Sequence, residues 1–314
     1  MWPPFVRVSP RLALRAPVFR ALVLWALAFW ALGGVTLFSA GPLRAQPAKP
    51  ACGGAIIATA EVARVIDGKT FVLADGREAR LAAIEAPPVT PADPNEEHAA
   101  VGLAAKTALE AILLRQIVIL KAVGPGFDRY GRLVAEAFVG RDAENWVQYE
   151  ILTKGYALVA PGGDNATCVT FLRGVERKAR ADGLGLWGDP YYVMKEAQYP
   201  DDVLTELGRF ALVTGKVLSV NESGGLVYLN FGRRWTESFT VTVAKRNQRM
   251  FTAAGLDPTK LAGREIEVRG WIEERGGPAI EASRPEQIEI VVPETVSPKT
   301  VTPKTVTPKT VTPR

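Results

Sequence analysis

Two Asp-Gly turns, Asp67-Gly68 and Asp75-Gly76, cut residues 55–84 into three short segments: AIIATAEVARVI, TFVL and REARLAAI. Each is rich in residues that favour extended backbone, and the turns are too tight to join anything except neighbouring strands. An antiparallel meander is therefore expected here, with glycine supplying positive φ in both turns. IVILKAV and LVAEAFV add two strands around GPGFDRYGR. Helical patterns follow Asp93-Pro94-Asn95-Glu96, a capping-box start, and recur in NWVQYEILTKGY and TFLRGVERKARADG. In the first helix Val101, Ala105, Ala108 and Ile112 fall on one face. Five strands and three helices predict a mainly β fold with α, a small closed barrel of the OB type packed by helices.

A composition shift at Tyr199–Asp202 starts a second strand-rich stretch, with runs FALVTGKVLSV, GLVYLNF, SFTVTVA, REIEVRGWIEE and AIEASRPEQIEIV. This is the pattern of a second OB-fold barrel. The chain closes on TVSPKTVTPKTVTPKTVTPR, a five-residue repeat with proline and a cation in each unit, unable to bury a core. The expected organisation is a signal peptide or N-terminal anchor over 1–45, a spacer over 46–54, the first domain over 55–195, the second over 205–292, and a disordered tail over 293–314.

The net charge of +5 invites a nucleic-acid reading, but its location removes the argument. Residues 1–45 hold Arg7, Arg11, Arg15, Arg20 and Arg44 and no acid, which accounts for all of it; the tail is itself positive, so the middle of the chain is slightly acidic. The apolar run from Ala21 to Phe38 follows those arginines and precedes GPLRAQ, the order of an export signal. It is either cleaved or retained as an anchor over 21–38, and in both cases the body of the protein is periplasmic or secreted. Cys52 and Cys168 then face an oxidising compartment and either pair or stay as buried thiols.

The chemistry is carried by VIDGKTFVL, ARLAAIEAPP, DRYGRLVAEAF, YEILTKGYALV and LRGVERKARADGLGLW. Taken in order, these segments resemble the staphylococcal-nuclease (thermonuclease-like) family across residues 55–190. The resemblance implies phosphodiester binding by two arginines, here Arg80 and Arg132. It places the family's calcium-binding aspartates on Lys69 and Glu85, and its water-activating glutamate on Pro88. An ammonium repels calcium and proline accepts no proton, so calcium-dependent hydrolysis is expected to be lost, with no cofactor and no metal site. Lys69 instead becomes a third cation that could stand where the metal stood. His98, the only histidine, sits among Glu96 and Glu97, a helix first turn rather than a catalytic base.

The second strand-rich stretch resembles OB-fold modules appended to extracellular bacterial nucleases. Phe231, Arg233, Arg234 and Trp235, followed by Lys245 and Arg246, interleave cations with rings as single-stranded nucleic acid requires. The expected protein is an exported, non-catalytic nuclease-family member that binds nucleic acid, with the basic tail either a plain solvated segment or a contact for polyanionic envelope material. The alternatives are an active secreted endonuclease or phosphodiesterase using Glu85 with another base or metal, and an envelope protein-interaction module.

Overall fold

The computed structural model describes residues 50–89, 99–163, 165–234 and 236–291. The apolar N-terminal run, the capping box with His98, Trp235 and the repeat tail lie outside the described residues. Among those described, no helix is long and apolar enough to cross a membrane.

The first half is built from β1 (Ile56–Val65), β2 (Thr70–Leu73), β3 (Glu78–Leu81), β4 (Ile84–Glu85), α1 (Ala99–Leu113), β5 (Ile117–Phe127), β6 (Leu133–Val139), β7 (Asn145–Trp146), α2 (Val147–Thr153), β8 (Leu158–Val159) and α3 (Ala166–Ala181). β1, β2 and β3 form the expected antiparallel meander. β5 pairs with β1 and β6 with β5, and a parallel β3–β6 pairing closes the ring into a five-stranded barrel. Its interior is apolar: Val62, Phe71, Leu81, Leu120, Leu133 and Ala137 meet Leu109, Ile151 and Leu172 from the three helices. Burying such side chains contributes roughly 1.5–3 kcal/mol each, and a ring of strands lacks open edges.

Two local details differ from the sequence expectation. The stripe of α1 that packs inward is Gly102, Ala105, Leu109 and Leu113, while Val101, Ala108 and Ile112 are only partly covered. Gly102 decides this rotation, because a Cβ there would lie 1.9 Å from the Pro88 carbonyl oxygen. Gly76 has the positive φ expected of it, at 87°, but Gly68 does not. Gly68 is small for a different reason: an added Cβ would meet Ala86 and Ala105, each at 2.8 Å. Both glycines press the first turn, the segment after β4 and α1 together.

The second half comprises β9 (Lys195–Glu196), α4 (Pro200–Leu204), β10 (Phe210–Lys216), β11 (Ser219–Ser223), β12 (Leu226–Asn230), β13 (Thr240–Ala244), α5 (Lys245–Ala253), β14 (Glu265–Trp271), β15 (Glu273–Arg275), β16 (Gly277–Glu281) and β17 (Ile288–Ile290). In place of one ring its strands pair within two sheets, ordered β17-β14-β10-β9 and β11-β12-β13-β16-β15. Both sheets cover one core that includes Val213, Leu229, Phe239, Val241, Phe251, Val268 and Ile280. β9 already belongs to this half, pairing with β10 before the composition shift is reached. All the described residues lie in one compact unit.

Cys52 and Cys168 form a disulfide that ties the segment before β1 to α3 across 116 residues. Closing so long a loop contributes about 4–5 kcal/mol in the chain-entropy view. Nearby on β6, Glu136 is fully buried and accepts hydrogen bonds from Trp146 Nε1 at 2.9 Å and Asn165 Nδ2 at 2.8 Å. Burial pushes its carboxyl up to about 7, with the two donors pulling the other way. The folded protein therefore keeps a proton that the unfolded chain releases near its ordinary value, so this contribution to stability is present at low pH and is lost as pH rises through 7. In denaturant titrations, Glu136→Gln should unfold with the parent protein at pH 4.5 and be more stable by up to about 3 kcal/mol at pH 8. A difference independent of pH would contradict this.

Candidate functional site

The first turn, the β3–β4 corner and the start of β6 converge on one point of the barrel wall. Asp67 Oδ1 accepts the Lys69 amide at 2.9 Å, an Asx turn that fixes the residue between β1 and β2. The Lys69 carbonyl accepts the Leu81 amide at 2.8 Å, and Thr70 stands opposite Arg80 across the β2–β3 ladder. Lys69 and Arg80 are thereby neighbours on the barrel. At Ala83 the backbone takes φ 60°, a costly value for a residue with a Cβ, and the chain doubles back so that Glu85 faces Arg80. Glu85 is held by pairing with Leu158 of β8.

The Lys69 ammonium contacts Glu85 Oε1, and Arg80 Nη2 donates to Glu85 Oε2 at 2.7 Å. One buried carboxylate thus bridges two cations. Burial pushes Lys69 down to about 8, and repulsion from Arg80 and Arg132 adds to the effect while Asp67 opposes it. Burial and then Arg132 lower Arg80 as well. Arg132 lies within electrostatic reach of both cations, but its own partner is Asp128, whose Oδ2 accepts from Arg132 Nε at 2.7 Å. Its guanidinium also sits 5.1 Å from the Tyr130 ring centroid. Of the residues expected together, Lys69, Glu85 and Arg80 touch, and Arg132 stands apart on a separate ion pair.

The sequence reading missed Asp67, although its place two residues before Lys69 in a turn was a sufficient signal. It also missed a contribution from the second half. Two cavities of about 420 Å³ each flank Glu85. The first also borders Asp67, Lys69, Pro87 and Pro88, and the second borders Arg80; both are walled by Phe210 and Trp271. No local pattern in either residue's neighbourhood announces this, since the two meet only through the β10–β14 ladder.

The family model for staphylococcal nuclease homologues matches residues 78–189, which contain Glu85 and both arginines. Residues 78–189 form a staphylococcal-nuclease-family domain. The match starts after Lys69, and the strands before it complete the barrel that the matched domain shares. No curated protein matches the chain.

The calcium that the family resemblance implies does not fit this donor set. Glu85 is engaged through both oxygens by cations, and Asp67 holds the turn amide. Among the described residues no group of three or more His, Cys, Asp or Glu side chains is placed to hold a metal ion.

The second-half residues expected to bind nucleic acid do not form one patch. Phe231 is partly buried against the core, tilted against Phe239 with ring centroids 5.0 Å apart. Arg233 and Arg234 lie beyond the end of β12, with Arg234 paired to Glu237 at 3.2 Å. Lys245 and Arg246 open α5 at the far end of β13, and Lys245 pairs with Glu222 at 2.8 Å.

Removing Glu85 should expose the dependence of this arrangement on it. Glu85→Ala leaves two partly buried cations unpaired and should lower stability at pH 7 by about 3 kcal/mol. The deficit should shrink towards pH 10. Lys69 of the parent is already lowered by burial, and without the Glu85 carboxylate to favour its charged form it gives up its proton at a still lower pH, so the variant gains more stability as pH rises. Chemical denaturation at the two pH values measures it; a deficit that grows with pH would contradict the assignment.

Proposed function

We propose that the protein is an exported nucleic-acid-binding member of the nuclease family that holds phosphodiesters without cutting them by the calcium route. The observation that carries this reading is the Lys69–Glu85–Arg80 contact, which puts an ammonium and a guanidinium around the carboxylate that a metal would need. A cation pair suits a phosphate, with lysine as a point charge and arginine as a directional donor. Glu85 competes with the phosphate for both cations, so the expected affinity is modest and salt-sensitive.

The second half supports the same reading as an OB-type module. β11, β12, β13 and β16 present a groove of about 740 Å³ bordered by Tyr228, Asn230, Thr242 and Arg233. The hydroxyls of Thr240 and Thr242 are buried in that region without a partner. Such a surface fits a flexible single strand better than a rigid duplex. Export is supported by the signal-like residues 1–45 and by the disulfide. The basic repeat tail is read as a contact for polyanionic envelope material.

Single-stranded oligonucleotides should bind with an affinity that falls as salt is raised, and Arg80→Ala should weaken binding. Glu85→Gln should tighten it by removing the competing charge. Denatured DNA should not be cleaved on addition of calcium, and the pair Lys69→Asp with Pro88→Glu should introduce calcium-dependent cleavage. Robust calcium-stimulated cleavage by the unaltered protein would overturn the proposal. Metal-independent hydrolysis that rises as pH passes 8 would instead favour an active enzyme, since a lysine with a pKa of about 8 is suited to act as a general base.

A further inference from the structure

Phe210 begins β10 and Trp271 ends β14, directly opposite each other in the ladder. Their rings meet edge to face, with centroids 6.1 Å apart and planes at 80°. Phe210 is anchored beside Leu158, Leu186 and Leu212, whereas Trp271 remains 50% exposed. The half-exposed Trp271 presents one face of its ring to the cavities beside Glu85. Both rings wall the cavities on either side of Glu85. The cavity that borders Lys69 is also lined by Tyr192 and Trp187, and the indole N–H of Trp187 is buried without a hydrogen-bond partner.

We infer that the second half supplies a nucleobase pocket to the nuclease-family domain, with Trp271 as its stacking surface and the phosphate of the same nucleotide on Lys69 and Arg80. This rests on the phosphate-binding reading above and adds the part of the ligand that the barrel itself does not address. The size fits, since a cavity of about 420 Å³ falls within the ordinary range for small-molecule sites. The chemistry fits also: aromatic walls take the base and cations take the phosphate. Stacking on an aromatic ring is tolerant of base identity, so the pocket should prefer nucleotides over sugar phosphates without strong selection among bases.

Calorimetric titration of the full chain with adenosine 5′-monophosphate and with ribose 5-phosphate separates the two parts of the ligand. The nucleotide should bind about tenfold more tightly than the sugar phosphate. Trp271→Ala should erase that advantage while leaving ribose 5-phosphate binding unchanged, Trp271→Phe should retain most of it, and Arg80→Ala should weaken both ligands. Equal binding of the two ligands by the unaltered protein, or equal weakening of both by Trp271→Ala, would overturn the base pocket while leaving the phosphate site standing. Failure of both ligands to bind would overturn the phosphate reading together with the pocket.

Discussion

The guanidinium of Arg269 is the constraint on which the remaining geometry depends. It is 1% exposed, projects from β14, and donates through Nη1 to Glu176 of α3 at 2.8 Å and to the Val159 carbonyl at 3.0 Å, while Glu267 accepts from Nη2 at 2.6 Å; Nε is buried without a partner among the described residues. Glu176 in turn accepts the Val159 amide at 2.7 Å. Val159 belongs to β8, the strand that pairs with β4 and so holds Glu85. A charge buried so completely depends on the partners it has, and removing one from such a group typically costs about 3–5 kcal/mol. The same contact that joins the two halves therefore also braces the strand behind the cation site. It brings the ends of β10 and β14 to the cavity mouths, which is why Phe210 and Trp271 wall them.

The surrounding charges reinforce this junction. Arg173 and Arg177 pair with Glu289, and Arg180 with Glu267 at 3.1 Å, along one face of α3. In the fold, much of that basic face fastens the second half. The Lys69 contact follows a similar logic on a smaller scale. On the proposed reading, an ammonium next to a buried carboxylate takes the role of the cation that would otherwise be recruited from solution, and phosphate recognition is separated from metal-dependent chemistry within one barrel.

Much of the fold was legible because it is local. The turn spacing gave the meander, and the ordered segments gave the barrel and its helices. The neighbourhood of Lys69, Arg80 and Glu85 could be read from the family resemblance because short turns set all three. What escaped the sequence was set at long range. The rotation of α1 was decided by the space Gly102 leaves for Pro88, not by the periodicity of Val101, Ala108 and Ile112. Phe231 reads as a base platform because aromatic residues beside arginines suit that role, while the structure packs part of its ring against Phe239. Arg132 was expected with Glu85 but pairs within its own turn with Asp128, a nearer partner. Trp271 gave no signal because its partner Phe210 and the cation site come from distant parts of the chain.

The central claim is that Lys69 and Arg80 already occupy the carboxylate a metal would require. A calorimetric titration of the protein with calcium at pH 7 tests it most directly. The account predicts no saturable heat, and a binding isotherm that appears when Lys69 is replaced by aspartate. Saturable calcium binding by the unaltered protein, abolished by Glu85→Gln, would contradict it.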